Sequence, residues 1–340
     1  MRHKPSFLIF ISVLFCMTSC DQILDLLEEH KPDDPKIELF ASGLVAPLGI
    51  EVDTKGQLWV TEAGTGTANN GTLSFITPTG IVHPVVEGFP STVSPEGAVF
   101  GLNHLLLKGD TLFMLHGTEG KLYKFNISEY APGDAPLQAS TLAYEDIGTF
   151  VKEYSFEEDT DETDIFNLTI GPEGDIFIVD AAANAVIRRD AITGQLSVFA
   201  SIPPIDNPSG EPVQVQAVPT GIVFDGQKFL VGTFTGFPFP AGKATIYQVD
   251  VYGKTSVYQS GLSVLTDIEL GLDHKPIVTE YGTFTEEGFA ANSGKVIRSA
   301  KGQNKALLSG LNFPNSIERG GLKTYYLANT FDGEIQKITF

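Results

Sequence analysis

Apolar and polar positions alternate with a period of two along most of the chain, and the alternation breaks at short intervals on glycine, proline, asparagine or aspartate. That pattern predicts half-buried β-strands joined by tight turns. One phrase recurs: QLWVTE at 57–62 returns in degenerate form at 111–116, 175–180, 228–233, 275–280 and 324–329. The copies end at Glu62, His116, Asp180, Thr233, Glu280 and Asn329, in steps of 54, 64, 53, 47 and 49 residues. Such spacing fits blades of roughly 40–50 residues, four strands to a blade.

The rest of each unit follows from the same alternation. A strand ending in Ser-Gly-Leu (at 42–44, 260–262 and 309–311) precedes a small-residue entry such as Pro47-Leu48-Gly49, Pro219-Thr220-Gly221 or Pro314-Asn315-Ser316. An apolar inner strand, a turn, the recurrent strand and a third strand then complete the blade. The last unit stops at Phe340 on its third strand, whereas 37–41 reads as a fourth strand with no unit before it. Pairing the two closes a ring and hides two open edges. The predicted fold is therefore all-β: a six-bladed β-propeller over 37–340, with four-stranded antiparallel blades and the ring closed by the N-terminal strand. The long stretch 132–156 predicts an insertion in the second blade.

The N-terminus reads as processing and not as fold. Arg2, His3 and Lys4 precede an apolar run at 7–15 and then Met17-Thr18-Ser19-Cys20. Small residues directly before a cysteine fit cleavage at a bacterial lipobox, so 1–19 is the expected signal peptide, Cys20 the lipid-modified anchor and 20–36 a charged, proline-broken tether. The other reading is an ordinary signal peptide with an incidental cysteine. Either way Cys16 is lost with the leader, and the mature chain has no thiol free for a disulfide or thiolate chemistry. The expected location is extracytoplasmic, with the membrane reached through the lipid alone. The net charge of −20 becomes −22 when Arg2 and Lys4 leave with the leader. That disfavours nucleic acid, whose phosphates need clustered Lys and Arg, and leaves cationic ligands and divalent metals compatible. A monomer is expected.

In a propeller the start of each inner strand and the end of each recurrent strand share one rim. Glu62, Asp180 and Glu280, with Asn167 and Asp267 from the inner strands, are the candidate metal ligands; oxygen donors suit Ca²⁺ or another divalent ion. His104, His116, Asn315 and Asn329 share the rim as candidate ligand contacts. Loops 64–70, 234–243 and 282–293 roof it, and Phe237, Phe239 and Tyr281 offer aromatic faces to a small molecule or protein partner. The alternative is structural throughout: carboxylates ending strands accept hydrogen bonds from backbone N–H groups of the next turn, and the Phe-Pro segments pack between blades. The acidic run 157–164 lacks the glycine and distal glutamate of an EF-hand loop and reads as a solvated loop.

The strings VPTGI at 218–222 and GTFTGFPFPAG at 232–242 resemble the ScyD/ScyE family, extracytoplasmic propellers named from scytonemin pigment biosynthesis clusters. Pro47-Leu48-Gly49-Ile50, Glu62-Ala63-Gly64-Thr65-Gly66 and Tyr247-Gln248-Val249-Asp250 fit the same pattern, and the likeness spans nearly the whole mature chain. Thr233 departs from it, standing where the family carries an acidic residue. The resemblance implies the fold; the family has no firmly assigned chemistry. At fold level the chain is also similar to NHL-repeat and gluconolactonase-like propellers. The latter implies an alternative function, a metal-dependent lactone or ester hydrolase with Glu62, Asn167, Asp180 and Asp267 as ligands. A non-catalytic interaction module is the third expectation.

Overall fold

The computed structural model describes residues 35–94, 98–157, 160–208, 210–300 and 302–340; the leader, Cys20 and nearly all of the tether lie outside them. Six antiparallel sheets form a propeller. The inner strands are Pro47–Val52, Leu102–Lys108, Ile165–Ile170, Pro219–Phe224, Leu265–Leu270 and Pro314–Arg319, each packed against the next, with the last against the first. Closure is as the alternation predicts: Lys36–Ser42 pairs antiparallel with Glu334–Thr339 and becomes the outer strand of the sixth blade.

Sixfold equivalence is visible in the backbone. The last residue of each recurrent strand faces the first of its inner strand: Pro47 and Glu62, Leu102 and His116, Ile165 and Asp180, Pro219 and Thr233, Leu265 and Glu280, Pro314 and Asn329. The following residue then donates its N–H to the carbonyl just before the inner strand, from Ala63 to Ala46, Gly117 to Gly101, Ala181 to Asp164, Phe234 to Val218, Tyr281 to Val264 and Thr330 to Phe313. This rim is the mouth.

Threonine hydroxyls join neighbouring blades beneath it. Thr61 donates to the Asn103 carbonyl at 2.5 Å, Thr220 to Leu265 at 2.6 Å, Thr266 to Pro314 at 3.0 Å and Thr330 to Pro47 at 3.1 Å. These bonds satisfy carbonyls that the bulge at each strand entry takes out of the ladder. Apolar side chains between sheets supply the bulk of the stabilisation, as in the cluster of Trp59, Phe75, Phe89, Leu105, Met114 and Phe125 between the first two blades.

Blade approach explains Gly49. A Cβ there would stand 2.8 Å from the His104 Cα and 2.9 Å from Thr61 Oγ1, the hydroxyl to which the Gly49 N–H donates. Gly49→Ala is expected to cost about 1–3 kcal/mol, read as a lowered urea midpoint with an unchanged slope; an unmoved midpoint would show that the blades have room to part.

The segment 132–156 is more than an insertion. Leu137–Gln138 pairs in parallel with Val86–Glu87 as an extra strand on the first blade, and Tyr144–Asp146 is the outer strand of the second. The helix Gly148–Glu153 follows and buries Val151. Among the described residues no helix is long and apolar enough to cross a membrane.

Candidate functional site

The rim carboxylates act first as staples. Buried Glu62 accepts from the Val45 N–H and the Ser74 hydroxyl, both at 2.5 Å. Glu280 accepts from the Ser263 N–H at 2.8 Å and pairs with Lys295 Nζ at 3.2 Å. Asp180, fully buried, accepts from the Thr163 hydroxyl and the N–H groups of Asp164, Ala182 and Ala183. Only Asp180 therefore bonds to the turn that follows it; Glu62 and Glu280 reach back to the segment entering the inner strand. Burial pushes the carboxyls of Glu62 and Asp180 above their ordinary values, and these hydrogen bonds hold them down.

Asn167 and Asp267 are together, one layer inside the channel. Asn167 Nδ2 donates to Asp267 Oδ1 at 2.8 Å, and Asp267 also accepts from Ile268 N–H, Ser316 Oγ and Ile317 N–H. His104 faces this carboxylate, Nδ1 to Oδ2, at 3.9 Å. Burial lowers its pKa against the opposing charge of Asp267. Among the described residues its Nε2 and the Asn315 Oδ1, both buried, meet no partner at full hydrogen-bond geometry, although the Asn315 side chain stands close enough to raise the His104 pKa; Asn329 Oδ1 is likewise unmet. His116 bonds through Nε2 to the Pro90 carbonyl at 2.9 Å. The five candidate metal ligands are thus split between three blade rims and the channel, with their oxygens engaged by N–H and O–H donors. Among the described residues no three His, Cys, Asp or Glu side chains come together to hold a metal. This donor set does not fit a resident divalent ion.

Two cavities open at the mouth instead. One, of about 360 Å³, lies over the fourth and fifth blades, walled by Phe239, Phe284, Pro238 and Pro240, with Glu280 and Lys295 bounding it. Its aromatic wall is braced: Phe239 and Phe284 stand 4.8 Å apart, Phe284 and Phe289 5.0 Å, Phe234 and Tyr281 5.8 Å. Phe284–Thr285 and Gly288–Phe289 form a small hairpin that fixes two of these rings. Phe237 extends the wall outward and is 69% exposed. Tyr281 lies behind the wall against Phe289 and Phe313, where burial raises its phenol pKa.

The second cavity, of about 500 Å³, is lined by Phe100, Lys152, Asp161, Asp164, Ala182 and Gln216 among others. Asp164 is pushed up to about 7 by burial and then by the charge of Asp180, while the Asn103 amide donates to it at 3.0 Å and holds it down. A carboxyl poised near neutrality in a cleft is fit for proton transfer. The solvated-loop reading of 157–164 missed it, although Asp164 stands directly before an inner strand and so at the rim. Lys295 was equally readable as the residue facing Glu280 across the blade. Glu51, Glu269 and Glu318, two positions beyond Gly49, Asp267 and Ser316 on three inner strands, lie near enough for their charges to act on one another; the period-two alternation puts them on the same face of those strands.

No protein-family model matches the chain, and no curated protein matches it in sequence. Solved structures do. Virginiamycin B lyase from Staphylococcus aureus is similar with a TM-score of 0.54 at 16% identity, over 90% of this chain and 99% of that one. The PQQ-bound aldose sugar dehydrogenase from Streptomyces coelicolor gives 0.60 at 13%, over 91% and 99%. A candidate gluconolactonase, a structural-genomics target, gives 0.55 at 14%, over 91% and 93%. At these identities the likeness establishes the six-bladed propeller fold and leaves chemistry to the site.

Proposed function

We propose that this propeller, of ScyD/ScyE type, is a lipid-anchored extracytoplasmic binding protein that takes a small, hydroxyl-bearing ring compound at its mouth. The observation that carries this reading is the cavity over the fourth and fifth blades. A hydrophobic ring face stacks on Phe239 and Phe284, while Glu280, Lys295 and the hydroxyls of Ser263 and Ser293 at the other side fix the orientation of polar groups. Its volume suits one small ring. The cysteine after the apolar leader supports anchoring at Cys20. The binding reading is built on the aromatic wall and the polar groups around it and requires no divalent ion.

Calorimetric titration of the purified chain with a panel of aldoses and aldonolactones tests the proposal. Phe239→Ala is expected to weaken the best binder about tenfold, equivalent to about 1.4 kcal/mol, and Lys295→Met to change which panel members bind. Absence of any binder, or an affinity indifferent to Phe239→Ala, would reject the site.

Hydrolysis of a lactone or ester is a second reading with one observation in its favour, the Asp164 carboxyl held at about 7 in the neighbouring cleft. Turnover on the same lactones, lost in Asp164→Asn, is its expected signature; binding without turnover leaves the binding protein.

A further inference from the structure

The chain enters the disc from the side opposite the mouth. Lys36 pairs with Thr339 and Thr339 with Thr324, just after the turn that joins the inner and recurrent strands of the sixth blade. From there the closing strand rises through Ser42 to Ala46 at the rim. Cys20 precedes Lys36 by about sixteen residues, a length that spans at most ~55 Å fully extended. The shortest path from Cys20 to the propeller therefore meets the face of the inner-strand and outer-strand turns.

That face differs from the mouth in chemistry. Its turn tips expose Ile81 at 58%, Ile192 at 94%, Tyr252 at 91% and Leu322 at 69%, spread over four blades. Exposed Lys36, Lys55, Lys254 and Lys323 stand on or beside the same turns. Three of its aspartates are drawn into those turns: Asp53 accepts from the N–H groups of Lys55 and Gln57, Asp190 from Ile192 and Thr193, and Asp250 from Tyr252 and Lys254, while Asp110 and Glu173 are exposed on other turns of the same face. The mouth also exposes rings, Phe237 and Phe331, but surrounds them with exposed Glu162, Glu286, Glu287 and Asp332.

We infer that the face opposite the mouth is a lipid-facing seat: it rests on the bilayer with its apolar turn tips in the headgroup region, and the mouth opens away from the membrane. Isolated apolar tips are ordinary on a protein surface. Here they share a face with the tether and with lysines whose stems can lie along the interface while their charges meet anionic headgroups. A carboxylate-rich mouth is repelled by those headgroups. The inference rests on the anchoring of Cys20 and leaves the ligand open.

Single cysteines at Thr193→Cys on the seat and Glu286→Cys at the mouth, in the full chain expressed and lipidated in a bacterial host, can each carry an environment-sensitive fluorophore. The lipid occupies the Cys20 thiol, so labelling is site-specific. In vesicles of zwitterionic lipid with an anionic fraction and a headgroup quencher, the Thr193 probe is expected to be quenched several-fold more than the Glu286 probe. Equal quenching, or the reverse order, overturns the orientation. Cys20→Ser reports separately on the anchor: release into the soluble fraction supports it, and retention on the membrane removes the premise.

Discussion

Asp267→Ala is expected to destabilise the propeller by about 2–4 kcal/mol, the cost of leaving several buried hydrogen-bond donors without an acceptor. The carboxylate accepts from Asn167 Nδ2 on the third blade, from its own blade through the Ile268 N–H, and from the Ser316 hydroxyl and Ile317 N–H of the sixth. Three inner strands thus lean on one side chain. Truncation leaves two backbone N–H groups, a carboxamide and a hydroxyl in a buried layer, where each unpaired group costs about 1–3 kcal/mol before relaxation. Asp267→Asn keeps one acceptor but turns an amide NH₂ toward donors, so an intermediate loss is expected. Urea unfolding checks the series, with the slope unchanged if only the folded state is affected. A midpoint for Asp267→Ala within error of the unsubstituted protein would mean that channel water replaces the carboxylate at no cost.

This same residue shows how much of the site was legible. Alignment of the inner-strand starts placed Asp267, Asn167 and His104 together at the mouth, because inner-strand register repeats from blade to blade; the structure sets Asn167 and Asp267 one layer further in, with His104 facing them. The sequence carries residue types at those places but not the direction in which their lone pairs are spent. Glu62 and Glu280 look alike in the repeat and both turn out to hold the segment before their inner strands, through Val45 and Ser263. Strand order and ring closure are local and periodic, and were readable. The aromatic loops over the mouth were readable too, but the cavity that Phe239 and Phe284 wall was not, since those rings meet through loops of two different blades, and loop conformation is fixed by contacts distant in sequence. The segment 132–156 misled for a related reason: Tyr144–Asp146 is too short and too exposed to alternate visibly, yet it fills the outer edge of the second blade.

The channel carboxylates give the molecule an unusual dependence on pH. Burial, with the neighbouring charges of Glu269 and Asp267, raises Glu51 to about 8 against leucine-backbone hydrogen bonding at Leu107 that holds it down. Glu269 is raised to about 7, and Glu318 is raised by burial and then by Glu51 and Glu269. Each binds its proton more tightly folded than unfolded. Their contribution is therefore fully present below the ordinary glutamate value of 4.5 and is lost as pH climbs through about 7 to 8. His104 acts in the opposite sense: its lowered pKa favours the fold above the ordinary 6.5 and opposes it as pH falls. Below about 6.5 the two effects compete; above it the carboxylates act alone, joined by Asp164 at about 7. Stability is expected to be highest near pH 5, because four raised carboxyls outweigh one lowered imidazole above it, and to fall by on the order of 2 kcal/mol by pH 8, allowing for screening by water in the channel. Glu51 is the cleanest probe, because Arg319 offsets the shifts of Glu269 and Glu318, whereas the charges acting on Glu51 are carboxylates. Glu51→Gln should raise the urea midpoint by an amount that grows from about pH 5 to pH 8, and so flatten the decline between. A wild-type midpoint that is level or rising from pH 6.5 to 8 would place these three side chains in contact with enough solvent to ionise freely, and the channel would then be a water-filled bore lined by ordinary glutamates.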